Sequence, residues 1–258
     1  MRTVAEPIEG TEVRVEPADS PGIEINGVSV SINSVSKADV RVDLVDRAVS
    51  VSADRTRSFV VEHALGPLGL QGVTAANVVG IRNEWDFARP EHRFCYSAKL
   101  SPACVVGHPA GLPNPRLSEA LGRVELIERD PQPRQTVSKP VSFSANGGDI
   151  KLCPREHGAG IRFKIKYGEA DIVAEVDPRG ETDETLIDSV TNSTTPYLSP
   201  NNGEAVTHAV ADLVSDIAVI GGFDDLVVEA DLTEAYHALT IGAAKKAHSS
   251  DSVERRSS

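Results

Sequence analysis

Apolar and polar residues alternate in short segments of the first half of the chain, namely 22–25, 28–32, 40–44 and 48–52. A period of two is typical of β-strands that bury one face. From Ser58 to about Leu70 the apolar residues follow helical spacing, and Pro67 should bend or end this helix early. An apolar run over 73–81 then predicts a buried strand.

The second half of the chain repeats this order of patterns. Strand periodicity recurs in the segments 141–144, 150–152, 161–167 and 172–176. Helical spacing follows over 206–220, and the pair Gly221-Gly222 should end that helix. A strand over 226–230 and a helix over 233–247 complete the half. Between the two halves, five prolines within 84–116 predict an irregular region.

The repeated order predicts an α+β protein built from two similar domains, each a two-layer sandwich with helices on one face of a sheet. We place the first domain at 21–129 and the second at 138–248, with a Pro-rich linker over 130–137. Residues 1–20 predict a flexible N-terminus, and the polar residues 249–258 predict a disordered tail. A pseudo-twofold axis would relate the domains and leave a site between them.

Composition restricts the classes of function. The formal net charge of −12 repels phosphate backbones, which argues against general nucleic-acid binding. Three cysteines without a C-x-x-C pair argue against a disulfide framework or a cysteine zinc knuckle. The sequence has no signal-peptide pattern and no apolar stretch of transmembrane length. We therefore expect a soluble cytoplasmic protein that acts on a small molecule.

A short motif opens one predicted helix in each half. It reads Val61-Glu62-His63-Ala64 in the first half and Val206-Thr207-His208-Ala209 in the second. The second copy continues to Asp212 and Asp216 in steps of four residues, which places these side chains along one face of a helix.

Two histidines and a carboxylate form the donor set of a catalytic zinc site, which leaves a fourth position for water. His63, His208 and Asp212 would be the ligands. Glu62, beside one of them, would take a proton from the zinc-bound water. The alternative is an ordinary helix start, because such spacing also arises by chance in a chain with 7 histidines and 38 acidic residues.

His237, in the last predicted helix, is a further candidate. A protonated histidine there could stabilise a tetrahedral intermediate and protonate a leaving amine, and Asp216 could hold it in the charged form. The alternatives are a half-buried structural histidine and, for Glu62, a solvated acid that favours the helix dipole. The other histidines lie in turn-rich segments or the tail, where we expect surface positions: His92, His108, His157 and His248.

These motifs resemble those of the UDP-3-O-acyl-N-acetylglucosamine deacetylases, the zinc amidases of lipid A synthesis. The T-V-E-H-L and A-L-x-G-L-G segments of that family are similar to F-V-V-E-H-A-L-G-P-L-G-L at 59–70. Its H-K-x-L-D-A-I-G-D-L segment is similar to H-A-V-A-D-L-V-S-D-I at 208–217, and its G-H-A-L-N to Y-H-A-L-T at 236–240. The family fold is two α/β sandwich domains with a pseudo-twofold.

The resemblance implies a role for each candidate residue. His63, His208 and Asp212 would hold Zn²⁺, and Glu62 would be the general base. His237, paired with Asp216, would be the electrostatic and acid partner.

The chain departs from the family pattern in several places. Ala209 replaces a lysine that helps to hold the substrate, and the second domain lacks much of the region of the acyl-passage insert. The E-I-P-I-M-D-G-S-A segment is not recognisable. Three residues are candidates for the oxyanion threonine: Thr191, Thr194 and Thr195.

The sequence therefore predicts a zinc-dependent deacetylase-like hydrolase that cleaves an N-acyl amide on a UDP-sugar or a related metabolite. The alternative is a non-catalytic descendant of that family that binds a ligand or a partner.

Overall fold

The structure is a computed structural model that describes residues 1–8, 13–32, 40–45, 48–53, 56–59, 61–81, 125–128, 133–177, 209–233 and 236–256. Within these ranges the protein is a mixed α+β fold, as the sequence predicted. None of the helices in these ranges combines the length and apolar character needed to cross a membrane.

The described strands are β1 (Arg2–Val4), β2 (Arg14–Pro17), β3 (Gly22–Ile25), β4 (Val28–Val30), β5 (Val40–Val45), β6 (Ala48–Ala53), β7 (Thr56–Phe59), β8 (Ala75–Val79), β9 (Leu126–Glu128), β10 (Arg134–Val137), β11 (Val141–Ala145), β12 (Gly148–Pro154), β13 (Ile161–Tyr167), β14 (Ala170–Val176), β15 (Leu226–Leu232) and β16 (Val253–Arg256). The described helices are α1 (Glu62–Leu70), α2, which is α-helical over 209–213 and π-helical over Val214–Ile220, and α3 (Tyr236–Ser249).

The second half is organised around a five-stranded sheet in the order β11-β12-β15-β13-β14. Only β13 and β15 run parallel among these neighbours. Along β13 every second side chain is buried, as in Ile161 and Phe163, whereas Arg162 and Lys164 are exposed. The apolar face of the sheet packs against α3 along β11 and β12, and the basic side chains of β13 lie on the exposed face.

The first half contains a four-stranded sheet in the order β2-β8-β3-β4. Its β3–β8 pair is parallel, and the pairs on either side are antiparallel. The same order and directions occur in β12-β15-β13-β14. The helix α1 precedes β8 along the chain, just as α2 precedes β15. The two halves therefore share a pattern of strand pairing around one helix each.

Two segments predicted to lack structure contain paired strands. Within 1–20, the predicted flexible N-terminus, β1 pairs with β9 and β2 pairs with β8, and Val4 and Val15 are fully buried. Within 249–258, the predicted disordered tail, β16 pairs with β10. The described residues of both segments thus include strands that the sequence did not predict, because strands of three or four residues carry too little periodicity to be recognised.

The predicted linker over 130–137 was also wrong in part, because its last four residues form β10. Its backbone pairs with β16, and Thr136 and Val137 are fully buried. The first helix begins at Glu62 and not at Ser58, because Thr56–Phe59 pairs with β6 as β7. The helix α2 ends at the predicted glycine pair, where Gly222 has φ +71°.

The helices α1 and α2, one from each half, pack with their backbones close together. A Cβ atom on Gly66 would lie 2.8 Å from the carbonyl oxygen of Ala211, and one on Gly69 would lie 2.7 Å from Cγ1 of Val214. All the other described side chains of α1 are also buried, as expected of a helix in the centre of a core. Buried apolar residues of both halves form one cluster around this contact.

We expect Gly66→Ala to lower the free energy of unfolding. Alanine is favoured over glycine within a helix by about 1 kcal/mol, whereas overpacking a tight contact costs about 1–3 kcal/mol. The atom that the new methyl group would meet belongs to the backbone of Ala211, which has no rotamer to change. Chemical denaturation of the variant and the wild type measures the difference.

Gly69→Ala provides the matched comparison, because its methyl group would meet the side chain of Val214. Adding Val214→Ala should recover part of the stability lost in Gly69→Ala and none of that lost in Gly66→Ala. A Gly66→Ala variant that is as stable as the wild type would contradict the close contact between the helices.

Candidate functional site

Four of the six predicted site residues meet where α1, α2 and α3 come together. They are Glu62 at the start of α1, Asp212 and Asp216 on α2, and His237 on α3. Each is at most 4% exposed. The contact between α1 and α2 sets Glu62 beside Asp212, close enough for the charges of Asp212 and His237 to act on it.

His237 forms the centre of this cluster through both ring nitrogens. Its Nδ1 lies 2.7 Å from Oδ2 of Asp216, and its Nε2 lies 3.7 Å from Oδ2 of Asp212. Burial alone would lower the pKa of His237, but the charges of Asp216, Asp212 and Glu62 raise it to about 10. The imidazole is therefore protonated at neutral pH and donates from Nδ1 to Asp216.

Asp216 is fully buried and is held by two donors. Besides His237, the hydroxyl of Thr240 donates to the same Oδ2 at 2.5 Å. Burial raises the pKa of Asp216, while His237 and Thr240 act to lower it. Asp216 lies in the π-helical part of α2, where its backbone carbonyl oxygen accepts a hydrogen bond from the Gly221 N–H at 3.0 Å. Hydrogen bonds thus hold both the side chain and the backbone of Asp216.

Asp212 accepts a hydrogen bond from the hydroxyl of Tyr236, which lies 2.5 Å from Oδ2. Tyr236 also packs its ring against the imidazole of His237, with centroids 4.9 Å apart. The sequence interpretation missed Tyr236 and Thr240. The usable signal was their spacing, because Tyr236 adjoins His237 and Thr240 follows one turn later on the same helix.

Glu62 is a carboxylate with a strongly perturbed acidity. Its Oε2 accepts the backbone N–H of Val49 at 3.0 Å. Burial and then the charge of Asp212 raise its pKa to about 8, against the lowering effects of His237 and of backbone hydrogen bonds. At neutral pH the group therefore holds a proton most of the time, and it exchanges that proton near neutrality.

The described cluster contains three carboxylates and one imidazolium. If all four were ionised, the negative charges would exceed the positive charge in a site closed to water. Such an excess is costly unless a cation or a proton compensates it. The raised pKa of Glu62 reduces this excess, because the protonated carboxyl group carries no charge.

The other predicted positions lie partly or wholly beyond the described residues. His63 follows Glu62 in α1, but its side chain is not among those that the structure describes. His208 directly precedes in sequence the described start of α2 and lies outside the described residues. Thr191, Thr194 and Thr195 are also outside them. Among the side chains that are described, no three His, Cys, Asp or Glu residues are arranged to hold a metal ion.

The remaining histidines differ in their environments. His157 is exposed, as predicted, and His92 and His108 fall outside the described ranges. His248 was predicted to lie on the surface but is partly buried: its Nε2 lies 2.8 Å from the carbonyl oxygen of Gly221, and its ring contacts Phe223. It holds the end of α2 against α3 and takes no part in the cluster.

Comparison with known proteins assigns no family to the chain. No protein-family model matches it, and no curated protein matches it closely enough to indicate common descent. The functional interpretation therefore depends on the geometry and charge of the cluster.

We expect the metal-free protein to lose stability as the pH rises. The folded-state pKa values of Glu62 and His237, about 8 and about 10, lie above their ordinary values of 4.5 and 6.5. The folded state thus binds these protons more tightly than the unfolded state. The stabilisation from Glu62 is complete below pH 4.5 and is lost through pH 8, and that from His237 is lost between pH 6.5 and 10.

Denaturation with a chelator present, over a series of pH values, measures this dependence. Glu62→Gln should flatten the fall below pH 8 and leave the fall caused by His237. The exposed Glu156→Gln is the control and should follow the wild type. Identical profiles for Glu62→Gln and the wild type would show that Glu62 does not hold the proton.

Proposed function

We propose that the protein is a zinc-dependent hydrolase of an N-acyl amide on a sugar nucleotide or a related small metabolite of the cytoplasm. The observation that carries this proposal is the single buried cluster of Glu62, Asp212, Asp216 and His237, which contains more carboxylates than cations. Asp212 would be one metal ligand, and His63 and His208 would be the others. A donor set of two histidines and one carboxylate suits Zn²⁺.

The charge of the cluster fits a divalent cation. Three carboxylates beside one imidazolium carry an excess of two negative charges when fully ionised, which a divalent cation would balance. Glu62 would then ionise, because a neighbouring cation favours the charged form of a carboxylate. Glu62 would thereby change from a protonated carboxyl group to a carboxylate that can accept a proton.

The chain's own residues divide the chemistry between a base and an acid. Zinc, when bound, supplies an acidified water and polarises a carbonyl. Glu62 accepts the proton of the attacking water at its carboxylate. His237, held protonated by Asp216, stabilises the negative charge on the tetrahedral carbon's oxygen. It then gives its proton to the amide nitrogen as the C–N bond breaks, which releases a carboxylate and an amine.

The arrangement of the halves is part of the proposal. Both halves repeat the order of strand pairing around a helix. Of the proposed ligands, His63 is the second residue of α1, and His208 directly precedes in sequence the described start of α2. A pseudo-twofold axis between two sandwich domains would bring them to one site. The motifs and this repeat favour a divergent relative of the UDP-3-O-acyl-N-acetylglucosamine deacetylases, with a role in lipid A synthesis or related lipid metabolism.

We expect the purified protein to carry about one zinc ion per chain, since a catalytic site of this type holds a single metal. Elemental analysis after dialysis measures the content. The double variant His63→Ala/His208→Ala should lose the metal, and the exposed His157→Ala should retain it as a control. Zinc content that is unchanged in the double variant would place the metal elsewhere and overturn the proposed site.

We expect Glu62→Gln to keep its zinc and to lose hydrolysis by about 10²–10⁴-fold, because removal of a general base costs that much. Turnover of a sugar nucleotide with a simple N-acetyl group is the assay, with metal content measured on the same sample. Loss of zinc together with activity would make Glu62 a ligand. Zinc-loaded wild type that binds but hydrolyses no N-acyl sugar nucleotide would favour a binding protein.

A further inference from the structure

Tyr236 is the one aromatic side chain described within the cluster, and its position is closely defined. It is 7% exposed, and its hydroxyl donates to Oδ2 of Asp212 at 2.5 Å. Its ring contacts His237, and it packs against Tyr167 with centroids 6.3 Å apart and an interplanar angle of 90°. The ring is therefore in contact with two other rings while the hydroxyl points to a buried carboxylate.

A buried tyrosine usually finds a hydrogen-bond partner, and packing alone would explain its presence. The choice of acceptor is what sets Tyr236 apart. Its partner is Asp212, the carboxylate among the three proposed zinc ligands. A hydrogen bond to an ionised acceptor is about twice as strong as one between neutral groups. Such partners fix the orientation of metal-binding side chains.

We infer that Tyr236 is a positioning residue that sets the orientation of the Asp212 carboxylate for a bound divalent metal ion. By donating to Oδ2, the phenol fixes the rotation of the carboxylate about its last side-chain bond. A bound metal ion would then meet a carboxylate whose orientation is already set. This inference depends on the proposed function, because it assigns Tyr236 a role toward the same metal.

The test compares Tyr236→Phe with Tyr167→Phe in the full-length protein. The first variant keeps the ring and removes the hydroxyl from Asp212, and the second removes a hydroxyl from the neighbouring ring. Zinc affinity, measured by competition with a chromophoric chelator, should weaken about 10–100-fold in Tyr236→Phe. It should stay at the wild-type value in Tyr167→Phe.

The outcomes separate the two proposals. Wild-type protein that binds no zinc overturns the proposed function and this inference with it. If the wild type binds zinc and Tyr236→Phe binds it with equal affinity, the positioning role alone is overturned. An equal loss of zinc affinity in Tyr236→Phe and Tyr167→Phe overturns it as well.

A second measurement covers the case in which Tyr236→Phe does not fold. Because zinc binding to Asp212 changes the surroundings of its phenol partner, zinc titration of Tyr167→Phe should still shift the near-ultraviolet tyrosine signal. The absence of any shift overturns the inference.

Discussion

The close contact between α1 and α2 is the constraint on which the rest of the structure depends. Two glycines on α1 remove the side chains that would hold the helices apart, so the backbone of α1 approaches Ala211 directly. Only this approach brings Glu62 of the first half within reach of Asp212 of the second. The charged cluster, which has members from both halves, therefore depends on the tight packing of an uncharged contact between α1 and α2.

Burial acts in opposite directions on the acidic and the basic members of the cluster, because it disfavours the charged form of each. Glu62 has one strong neighbour of its own sign, and its pKa rises toward neutrality. His237 lies between two aspartates and keeps its proton far above neutrality. Both pKa values rise by a similar amount, so Glu62 remains the stronger acid of the two and His237 the stronger base. The causes of the two shifts differ, because burial is the main reason for the raised pKa of Glu62, whereas neighbouring carboxylates raise the pKa of His237 against the effect of burial.

The sequence predicted the parts of the fold that local periodicity determines. The long alternating strands, such as β13, and the helix that ends at Gly221 were found in this way. The short β1 and β16 were missed because their strand character comes from distant partners. In the site, four-residue spacing placed Asp212 and Asp216 on one helix. Spacing also puts Tyr236 and Thr240 near His237 on α3, but their contacts with the two aspartates depend on how α3 packs against α2, which the local pattern does not encode. The π-helical turns around Asp216 likewise have no signature in the sequence.

The packing of α1 against α2 also orders the events of synthesis. Residues 62–70 leave the ribosome long before 209–220, the segment that covers them. Until α2 is made, the contacts of Gly66 with Ala211 and of Gly69 with Val214 cannot form. An apolar surface left uncovered on a nascent chain promotes association with other chains. The core that the two halves share is therefore completed only when the second half arrives.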